Sequence, residues 1–394
     1  MYITNHWPLV TIHLDMKILH MITRLDLGGS SQICLDMLEV LKKEGKEAIL
    51  LFGKTRRKDF MLAAERLEKM SVPFVYMPEL RRNVSLYWDG LAFLKIAKLF
   101  KKFRPGIVHL HSSKAGFLGR AAGILCGIRK VVYMSHGHVF KGYFGPLKSY
   151  IFLSLEKAVS VFTDCMVSLT EKEIGDWTRR GFKRGKFRVL HNGIRLEEYK
   201  ARRLPAEEAR RRLGLTPDKK IILCVARLEK IKGVEYLIKA AALLNRDDFV
   251  VLLAGDGGER KRLEDLSRRL YLGKKIVFLG ERRDIPEILS CGDFLVLPSL
   301  MEGFGISIIE GYVFSLPAVG TRVGGIPEVI RDGETGFLVA PGNEISLASA
   351  LGKFLLRPSE RIEMGKKGRK FLEENFTYER FEKNVISLYR TISG

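Results

Sequence analysis

The sequence has no long hydrophobic run and no leader-like start. Hydrophobic residues make up 46% and charged residues 28% of its 394 residues, a composition that is typical of soluble globular proteins. No apolar run approaches the ~20 residues that a transmembrane helix needs. No positively charged start precedes an apolar core and a small-residue cleavage site, so we expect no signal peptide. A chain of this length can hold two domains, each with its own core.

Cysteine is scarce, and metal-ligand patterns are absent from the sequence. The five cysteines are odd in number and scattered, without a C-x-x-C pair, so we expect small buried residues in a reducing cytosol. No D-x-D triplet occurs, nor any His/Cys cluster with ligand spacing. The sequence therefore does not predict a bound metal ion.

Acidic residues are missing from one long span. Residues 90–155 contain eleven Lys and Arg residues and no Asp or Glu. The formal net charge of the chain is +22, and residues 1–195 carry +17 of it, with 33 Lys and Arg against 16 Asp and Glu. We interpret this span as a basic surface, which implies an acidic partner: anionic lipid, a phosphorylated substrate or nucleic acid.

The most informative stretch begins with the apolar run at residues 293–297, which predicts a buried strand. A Gly-Phe-Gly loop follows, and then an apolar helix that must end before Pro317. The small residues Gly303 and Gly305 would let a ligand approach the backbone. The start of the helix offers unpaired N–H groups, so this stretch predicts an anion site.

Two carboxylates flank this predicted anion site, Glu302 in the loop and Glu310 one turn into the helix. A carboxylate can accept two hydrogen bonds from neighbouring sugar hydroxyls, so the stretch indicates a ligand that combines phosphate with sugar. The alternative is an ordinary helix N-terminus whose Glu residues complement the helix dipole.

Short apolar runs alternate with helical stretches along most of the chain. Strand-like runs occupy residues 16–23, 48–52, 73–77, 107–111, 130–135, 165–169, 187–190, 220–226, 250–254, 276–280 and 293–297. This alternation predicts parallel sheets with helices on both faces, and ligands bind at the carboxyl ends of such strands. Histidines cluster at these ends; we interpret His109 as a core residue and leave His138 undecided.

Cations follow the strand predicted at residues 220–226. Arg227 and Lys232 open the next helical stretch, and Gly233 comes directly after them. Arg227 could bind a diphosphate with its bidentate fork, and Lys232 could act as a point charge. The alternative is a solvated basic turn without a ligand.

Together these stretches resemble one enzyme family. Residues 302–310 resemble the E-x7-E motif, and residues 227–233 the R-x4-K-G pattern, of the retaining GT-B glycosyltransferases of family 4, also called group 1. The resemblance covers nearly the whole chain. It implies an α/β fold, GT-B, in which two Rossmann-like domains with doubly wound parallel sheets face a central cleft.

The same resemblance implies where the domains begin and end. Residues 1–195 would be the acceptor-binding domain, with residues 1–15 as a peripheral extension. Residues 196–372 would bind the nucleotide-sugar, and residues 373–394 would form a helix that crosses back to the first domain.

The resemblance also implies roles for single residues in the donor site. Arg227 and Lys232 would neutralise the diphosphate of a nucleotide-sugar, and backbone N–H groups near Gly305 and Ile306 would cap it. Fixed cations beside the leaving diphosphate stabilise the charge that develops there in the transition state.

Hydroxyl groups and the acceptor would be held by other residues. Glu310 would accept the ribose hydroxyls, and Glu302 the hydroxyls of the donor sugar. Gly28 and Gly29 would line the cleft beside the diphosphate and the acceptor, and His136 would reach the donor sugar. The predicted catalytic residues are His136, Arg227, Lys232 and Glu302.

The implied reaction moves a sugar from a nucleotide diphosphate-sugar to a lipid-linked or polysaccharide acceptor in cell-envelope glycan synthesis. It would retain the anomeric configuration and need no metal or other cofactor. Residues 132–140 look like members that use UDP-N-acetylhexosamines, which favours a UDP-sugar as donor. The basic span, with aromatic and basic side chains at residues 140–144, would hold a cytoplasmic enzyme on the anionic inner face of the cell membrane.

Two other functions stay open at this point. A UDP-sugar 2-epimerase on the same scaffold would need carboxylates placed for proton abstraction and no basic acceptor surface. A nucleic-acid-binding protein would explain the charge, but the sequence has no recognised nucleic-acid motif, so we expect no nucleic-acid partner.

Overall fold

The computed structural model describes residues 17–26, 28–136 and 145–393. The predicted extension at residues 1–15, the undecided His138 and the loop at residues 140–144 lie outside these residues. The described chain divides into two compact units. The first ends at Met134 and also takes in Val161–Asp164 and Ser393, and the second contains the rest from Ser135 onward. The domain boundaries expected from the sequence stay predictions.

The first unit alternates strands with helices. Its elements in chain order are β1 (Ile18–Ile22), α1 (Gly29–Lys43), β2 (Ala48–Gly53), α2 (Arg57–Lys69), β3 (Phe74–Met77), α3 (Leu86–Phe103), β4 (Ile107–His111), α4 (Ser113–Cys126) and β5 (Lys130–Met134). The strands are parallel and lie in the order β3-β2-β1-β4-β5. Every residue of β1 and β4 is buried, as expected for strands covered by helices on both faces.

The second unit begins with several helices and a pair of strands. These elements are α5 (Pro146–Ser160), β6 (Cys165–Ser168), α6 (Glu171–Thr178), β7 (Phe187–Val189), α7 (Leu196–Ala201) and α8 (Ala206–Arg212). β6 and β7 pair in parallel. Thr170 caps α6, because its side chain accepts a hydrogen bond from the N–H of Glu173.

A six-stranded parallel sheet with its helices follows. Its elements are β8 (Lys220–Val225), α9 (Val234–Leu243), β9 (Phe249–Ala254), α10 (Arg260–Arg269), β10 (Ile276–Gly280), α11 (Ile285–Ser290), β11 (Phe294–Leu297), α12 (Ile306–Val313), β12 (Ala318–Thr321), α13 (Ile326–Val329), β13 (Gly336–Val339), α14 (Glu344–Leu356), α15 (Pro358–Asn375) and α16 (Tyr378–Ser393). The strand order β10-β9-β8-β11-β12-β13 reverses between β8 and β11. Such a reversal is where doubly wound sheets bind ligands, so it positions the site described below.

The core of this sheet explains why the strands could be recognised in the sequence. Ile222, Val251, Leu253, Phe294 and Phe354 belong to one cluster and are each at most 1% exposed. Strands buried on both faces need apolar residues at nearly every position, so they read as continuous apolar runs. The predicted α/β fold class is confirmed.

Three histidines form a buried stack in the first unit. Nδ1 of His20 lies 3.0 Å from Nε2 of His111, and the rings of His109 and His111 are 4.4 Å apart and 9° from parallel. Their ligand atoms lie within 4.8 Å of one another, but a metal ion must lie near the plane of each imidazole, where the nitrogen lone pair points. The nearly parallel rings of His109 and His111 do not share such a point, and the ring of His20 is inclined to them by 31° and 22°. We therefore interpret the stack as packing, which agrees with the prediction of His109 as a core residue.

The basic span is only partly a charged surface. Arg120 is fully buried, so the prediction that the whole span lies on the surface is wrong for this residue. Lys95 forms an ion pair with Glu79 at 2.7 Å, and Lys114 forms one with Asp89 at 2.6 Å. Exposed cations remain at the end of α3 and just beyond it, namely Lys98, Lys101, Lys102 and Arg104. Among the described residues, no helix is long and apolar enough to cross a membrane.

Candidate functional site

The candidate donor site lies at the carboxyl ends of β8 and β11. β8 leads into Arg227 and a 3-10 turn at Lys230–Lys232. β11 leads through Pro298 into the loop that carries Glu302. Because the two strands are parallel neighbours, the segments that follow them meet at the same edge of the sheet.

Lys232 and Glu302 form an ion pair at this edge. Nζ of Lys232 lies 2.8 Å from Oε2 of Glu302, and the side chains are only 16% and 13% exposed. Ser299 donates a hydrogen bond to the same oxygen at 3.2 Å, and the N–H of Gly303 donates to Oε1 at 3.2 Å. Three donors on three different residues therefore fix the carboxylate, and one of them is a cation in a partly dehydrated setting.

Two glycines with left-handed backbone conformation support this pair. Gly233 has a φ of 61°, and a Cβ added there would lie 2.2 Å from the carbonyl oxygen of Pro298. Gly324 has a φ of 49°, and its Cβ would lie 1.6 Å from the carbonyl oxygen of Glu302. The glycine of the R-x4-K-G pattern thus has a packing reason, since it lets the two turns touch through their backbones.

Arg227 lies on the same turn but reaches towards solvent. Its side chain is 53% exposed, and Nη1 lies 2.5 Å from Oε1 of Glu229. The N–H of Leu228 donates to the carbonyl oxygen of Asp256 at 3.0 Å, so the turn after β9 holds this segment in place. A bound diphosphate would have to draw the Arg227 guanidinium away from Glu229.

The start of α12 has the features that favour an anion. Gly305 precedes the helix with a φ of 93°, and among the described residues no side chain caps this end. The first turn, which begins at Ile306, contains no acidic residue. The helix dipole and the N–H groups at this end therefore favour negative charge, and the predicted binding of an anion at Gly305 and Ile306 stays a prediction.

Glu310 occupies the second turn of α12 and has an unpredicted partner. The hydroxyl of Tyr199, on α7, donates a hydrogen bond to Oε1 of Glu310 at 2.5 Å. Desolvation raises the pKa of Glu310 to about 7, although the hydrogen bond from Tyr199 acts in the opposite direction. Tyr199 lies 111 positions before Glu310 in the chain, and no motif in the sequence marks it.

His136 lies beside the loop of the site. Its carbonyl oxygen is 3.5 Å from the position that a Cβ on Gly303 would take, and its backbone is left-handed, with a φ of 57°. Desolvation lowers the pKa of His136 to about 3, so its imidazole is neutral at physiological pH. A neutral ring can both donate and accept a hydrogen bond and carries no charge; a contact of His136 with a donor sugar stays a prediction.

Gly29 is the first residue of α1 and Gly28 is its N-cap. Among the residues that the structure describes, a Cβ added to either glycine would meet no atom within 4 Å beyond its chain neighbours. Packing of the described residues therefore does not require glycine here, and the approach of a ligand to these residues stays a prediction.

Glu328 is a further acidic residue at the rim of the second sheet. Its carboxylate accepts hydrogen bonds from the N–H groups of Glu171 and Lys172, at the start of α6, at 3.2 and 2.8 Å. Nε2 of His191 lies 3.4 Å away. Desolvation alone would raise the pKa of Glu328, but these hydrogen bonds outweigh it and hold the pKa below its usual value. Glu328 thus ties α6 to α13.

Two family models match consecutive parts of the chain. The model described as Glycosyltransferase Family 4 matches residues 27–198, and the model described as Glycosyl transferases group 1 matches residues 205–371. Together they span the segments that carry all of the predicted site residues.

Individual proteins agree with these matches. EpsD of Bacillus subtilis (strain 168), a protein assigned to the glycosyltransferases, is 30% identical over 314 residues, which cover 77% of this chain and 80% of EpsD. A UDP-Gal:alpha-D-GlcNAc-diphosphoundecaprenol alpha-1,3-galactosyltransferase of Escherichia coli is 29% identical over 345 residues, or 86% and 88% of the two chains. The crystal structure of Anabaena HepE in complex with UDP and glucose superposes with a TM-score of 0.81 at 20% identity, covering 95% of this chain and 100% of HepE. The chain is therefore a transferase with the GT-B fold, and it belongs to the family 4, or group 1, glycosyltransferases.

Proposed function

We propose that this protein moves a sugar from a UDP-sugar to a lipid-linked or polysaccharide acceptor during the synthesis of a cell-envelope glycan, with retention of the anomeric configuration. The observation that carries the proposal is the fixed Lys232–Glu302 pair at the ends of β8 and β11. The Escherichia coli relative is named for UDP-Gal and a diphosphoundecaprenol acceptor, and HepE was crystallised with UDP and glucose. The name of the relative and the ligands of HepE both support a UDP-sugar as the donor.

The leaving diphosphate is the group that the site would stabilise. Lys232 has three donors and uses one on Glu302, so the others can serve phosphate oxygens. The start of α12 adds N–H groups, and Arg227 adds a guanidinium from the same edge. Because negative charge grows on the diphosphate as the glycosidic bond breaks, these fixed donors stabilise the transition state more than the bound donor.

Retention would follow from a front-face displacement. Retaining hydrolases place two carboxylates about 5 Å apart around the anomeric carbon, with one acting as the nucleophile. Here Glu302 is held by Lys232, Ser299 and Gly303, and Glu310 is held by Tyr199. We assign both carboxylates to the binding of hydroxyl groups, so neither would act as the nucleophile or the base. The leaving phosphate would therefore accept the proton of the attacking acceptor hydroxyl.

The proposal assigns Glu310 to the ribose and Glu302 to the donor sugar, and this difference can be tested. Glu310→Ala is expected to weaken binding of both UDP and a UDP-sugar by about ten- to a hundredfold, since it removes hydrogen bonds from hydroxyls to a charged group. Glu302→Gln is expected to weaken binding of the UDP-sugar but not binding of UDP. Isothermal titration calorimetry of both ligands measures this. Equal UDP affinity in the wild type and Glu310→Ala would contradict the proposal.

We also propose that transfer needs no divalent metal ion. Lys232, Arg227 and the start of α12 supply positive charge where other enzymes use a metal. An excess of EDTA is therefore expected to leave most of the activity of the purified enzyme intact. Complete loss of activity that Mn²⁺ or Mg²⁺ restores would show that the diphosphate is bound in a different way.

A peripheral position on an anionic membrane is a further part of the proposal. Exposed cations at the end of α3 would each contribute about 1 kcal/mol near an anionic leaflet. Flotation with anionic vesicles is expected to recover the protein at low salt and much less at high salt. Changing Lys101, Lys102 and Arg104 to Glu should reduce recovery.

A matched variant controls for total charge in this flotation test. Lys366, Lys367 and Lys370 are exposed cations on α15, and their change to Glu alters the net charge equally. This control is expected to float like the wild type. Equal recovery of the protein with neutral and anionic vesicles would contradict the proposal that the cations at the end of α3 bind an anionic membrane. An equal loss of recovery in both triple variants would contradict it as well.

A further inference from the structure

The contact between Tyr199 and Glu310 is stronger than ordinary packing requires. An oxygen–oxygen distance of 2.5 Å is typical of a hydroxyl that donates to an ionised carboxylate. We infer that Tyr199 is a positioning residue for nucleotide binding: its hydroxyl fixes the orientation of the Glu310 carboxylate and favours its charged form, so that Oε2 can accept the ribose hydroxyls. This inference rests on the proposed function, because it takes the ribose of a nucleotide as the ligand of Glu310.

A fixed donor matters here because a Glu carboxylate otherwise turns freely. The terminal torsion of Glu is broad, so the side chain alone does not select one orientation. The hydrogen bond from Tyr199 holds Oε1 and thereby sets the direction of Oε2. A carboxylate that is oriented before the ligand arrives binds more tightly, since less freedom is lost on binding.

The helix that carries Tyr199 is itself held in place. Arg202, which ends α7, donates to both carboxylate oxygens of Glu287 on α11, at 3.2 and 3.0 Å, and to the carbonyl oxygen of Arg283 at 3.0 Å. At the other end of α7, the guanidinium of Arg195 lies 3.5 Å from the ring centre of Tyr378. Both ends are anchored within the second unit, so the hydroxyl is a fixed rather than an incidental partner.

Electrostatics point in the same direction as the geometry. Burial of Glu310 disfavours its charged form, and the hydrogen bond from Tyr199 favours it. Burial, together with the nearby charge of Glu310, also raises the pKa of the Tyr199 phenol, so this hydroxyl stays a donor at every pH used in a binding experiment. Other charged groups on elements around α12 have partners of their own, namely Glu198 with Arg195, Arg202 with Glu287, and Arg369 with Glu373.

The sign of the pH dependence follows from these observations. Ribose hydroxyls donate to a carboxylate, so UDP should bind better as the pH rises through the pKa of Glu310, which is about 7. Removing the Tyr199 hydroxyl removes an interaction that favours the ionised form. The midpoint of UDP affinity should therefore move to higher pH in a Tyr199→Phe variant.

Calorimetric titration of the full chain with UDP at pH 6, 7, 8 and 9 tests the inference. Tyr199→Phe is expected to weaken UDP binding about tenfold at pH 7, and the loss should shrink towards pH 9. The matched control is Tyr271→Phe, which removes the hydroxyl of a residue that is 94% exposed and should bind UDP like the wild type. Ionisation of UDP is common to all variants and cancels in the ratio of affinities.

A second variant separates positioning from a general structural effect. In a Glu310→Gln background, Tyr199→Phe should cause little further loss. UDP affinity in Tyr199→Phe that equals or exceeds that of the wild type, or a loss that is equally large in the Glu310→Gln background, would overturn the positioning role alone. Failure of the wild type to bind UDP at all would overturn the proposed function as well.

Discussion

Replacing Lys232 with Ala is expected to lower kcat for sugar transfer by about 100- to 1,000-fold, the usual cost of losing one fixed donor to a charge that develops in the transition state. Lys232 is mostly buried and lies 2.8 Å from Glu302, so its ammonium cannot simply be replaced by a neighbouring flexible side chain. Steady-state kinetics with a saturating donor measures the effect.

The same turn offers a control for the loss of one positive charge. Lys230 is exposed and lies two positions earlier in the 3-10 turn, so Lys230→Ala should leave kcat within about twofold of the wild-type value, as expected for a surface substitution.

Lys232→Ala also leaves the Glu302 carboxylate without its cation, which destabilises the fold. Adding Glu302→Gln should restore the melting temperature but not kcat. A kcat for Lys232→Ala close to that of the wild type would show that Lys232 does not act on the leaving group.

Gly324→Ala is expected to destabilise the protein by about 3 kcal/mol or more and to remove most of its activity. The new Cβ would lie 1.6 Å from the carbonyl oxygen of Glu302, so the loop that carries Glu302 would have to move. The left-handed backbone adds a smaller strain of its own. Urea unfolding measures the loss of stability, and a transfer assay on the folded fraction measures the loss of activity.

Gly333→Ala separates these two contributions. Gly333 also has a positive φ, 79°, but a Cβ there would meet none of the described residues within 4 Å. The control variant should therefore lower the free energy of unfolding by only about 1 to 2 kcal/mol and leave activity intact. If the two variants were equally stable and active, the backbone contact between Gly324 and Glu302 would have no importance for the site.

The sequence predicted most strands because burial on both faces leaves a clear apolar run. The runs at residues 107–111 and 276–280 coincide with β4 and β10. β12 and β13 were not among the predicted strands; β13 begins with Gly336 and is only partly buried in the middle. Gly336 is needed because a Cβ there would lie 2.0 Å from the carbonyl oxygen of Ala318, and glycine weakens a strand signal.

Single site residues were easier to predict than their partners. Lys232 and Glu302 were each assigned from local pattern, but they are 70 positions apart, and their contact depends on β8 and β11 being neighbours. Periodicity gives the strands and not their order in the sheet. Tyr199 shows the same limit, because only the packing of α7 on α12 brings its hydroxyl to Glu310.

Composition was the weakest guide to the surface. A run without acidic residues shows where the cations are in the chain, but it cannot show that Arg120 turns inward, where its guanidinium lies 4.1 Å from the ring centre of Tyr133. Family membership decides between the functions that composition left open, since it favours glycosyl transfer over epimerisation and nucleic-acid binding.

The most direct measurement is a thermal-shift screen of the wild-type protein against sugar nucleotides that differ in the base. A ligand present at ~100 times its Kd adds ~2.7 kcal/mol to the free energy of unfolding. UDP-sugars are expected to raise the melting temperature clearly, and GDP- and ADP-sugars to raise it little. Stabilisation by GDP- or ADP-sugars in place of UDP-sugars, or by none of them, would contradict a UDP-sugar donor site at the ends of β8 and β11.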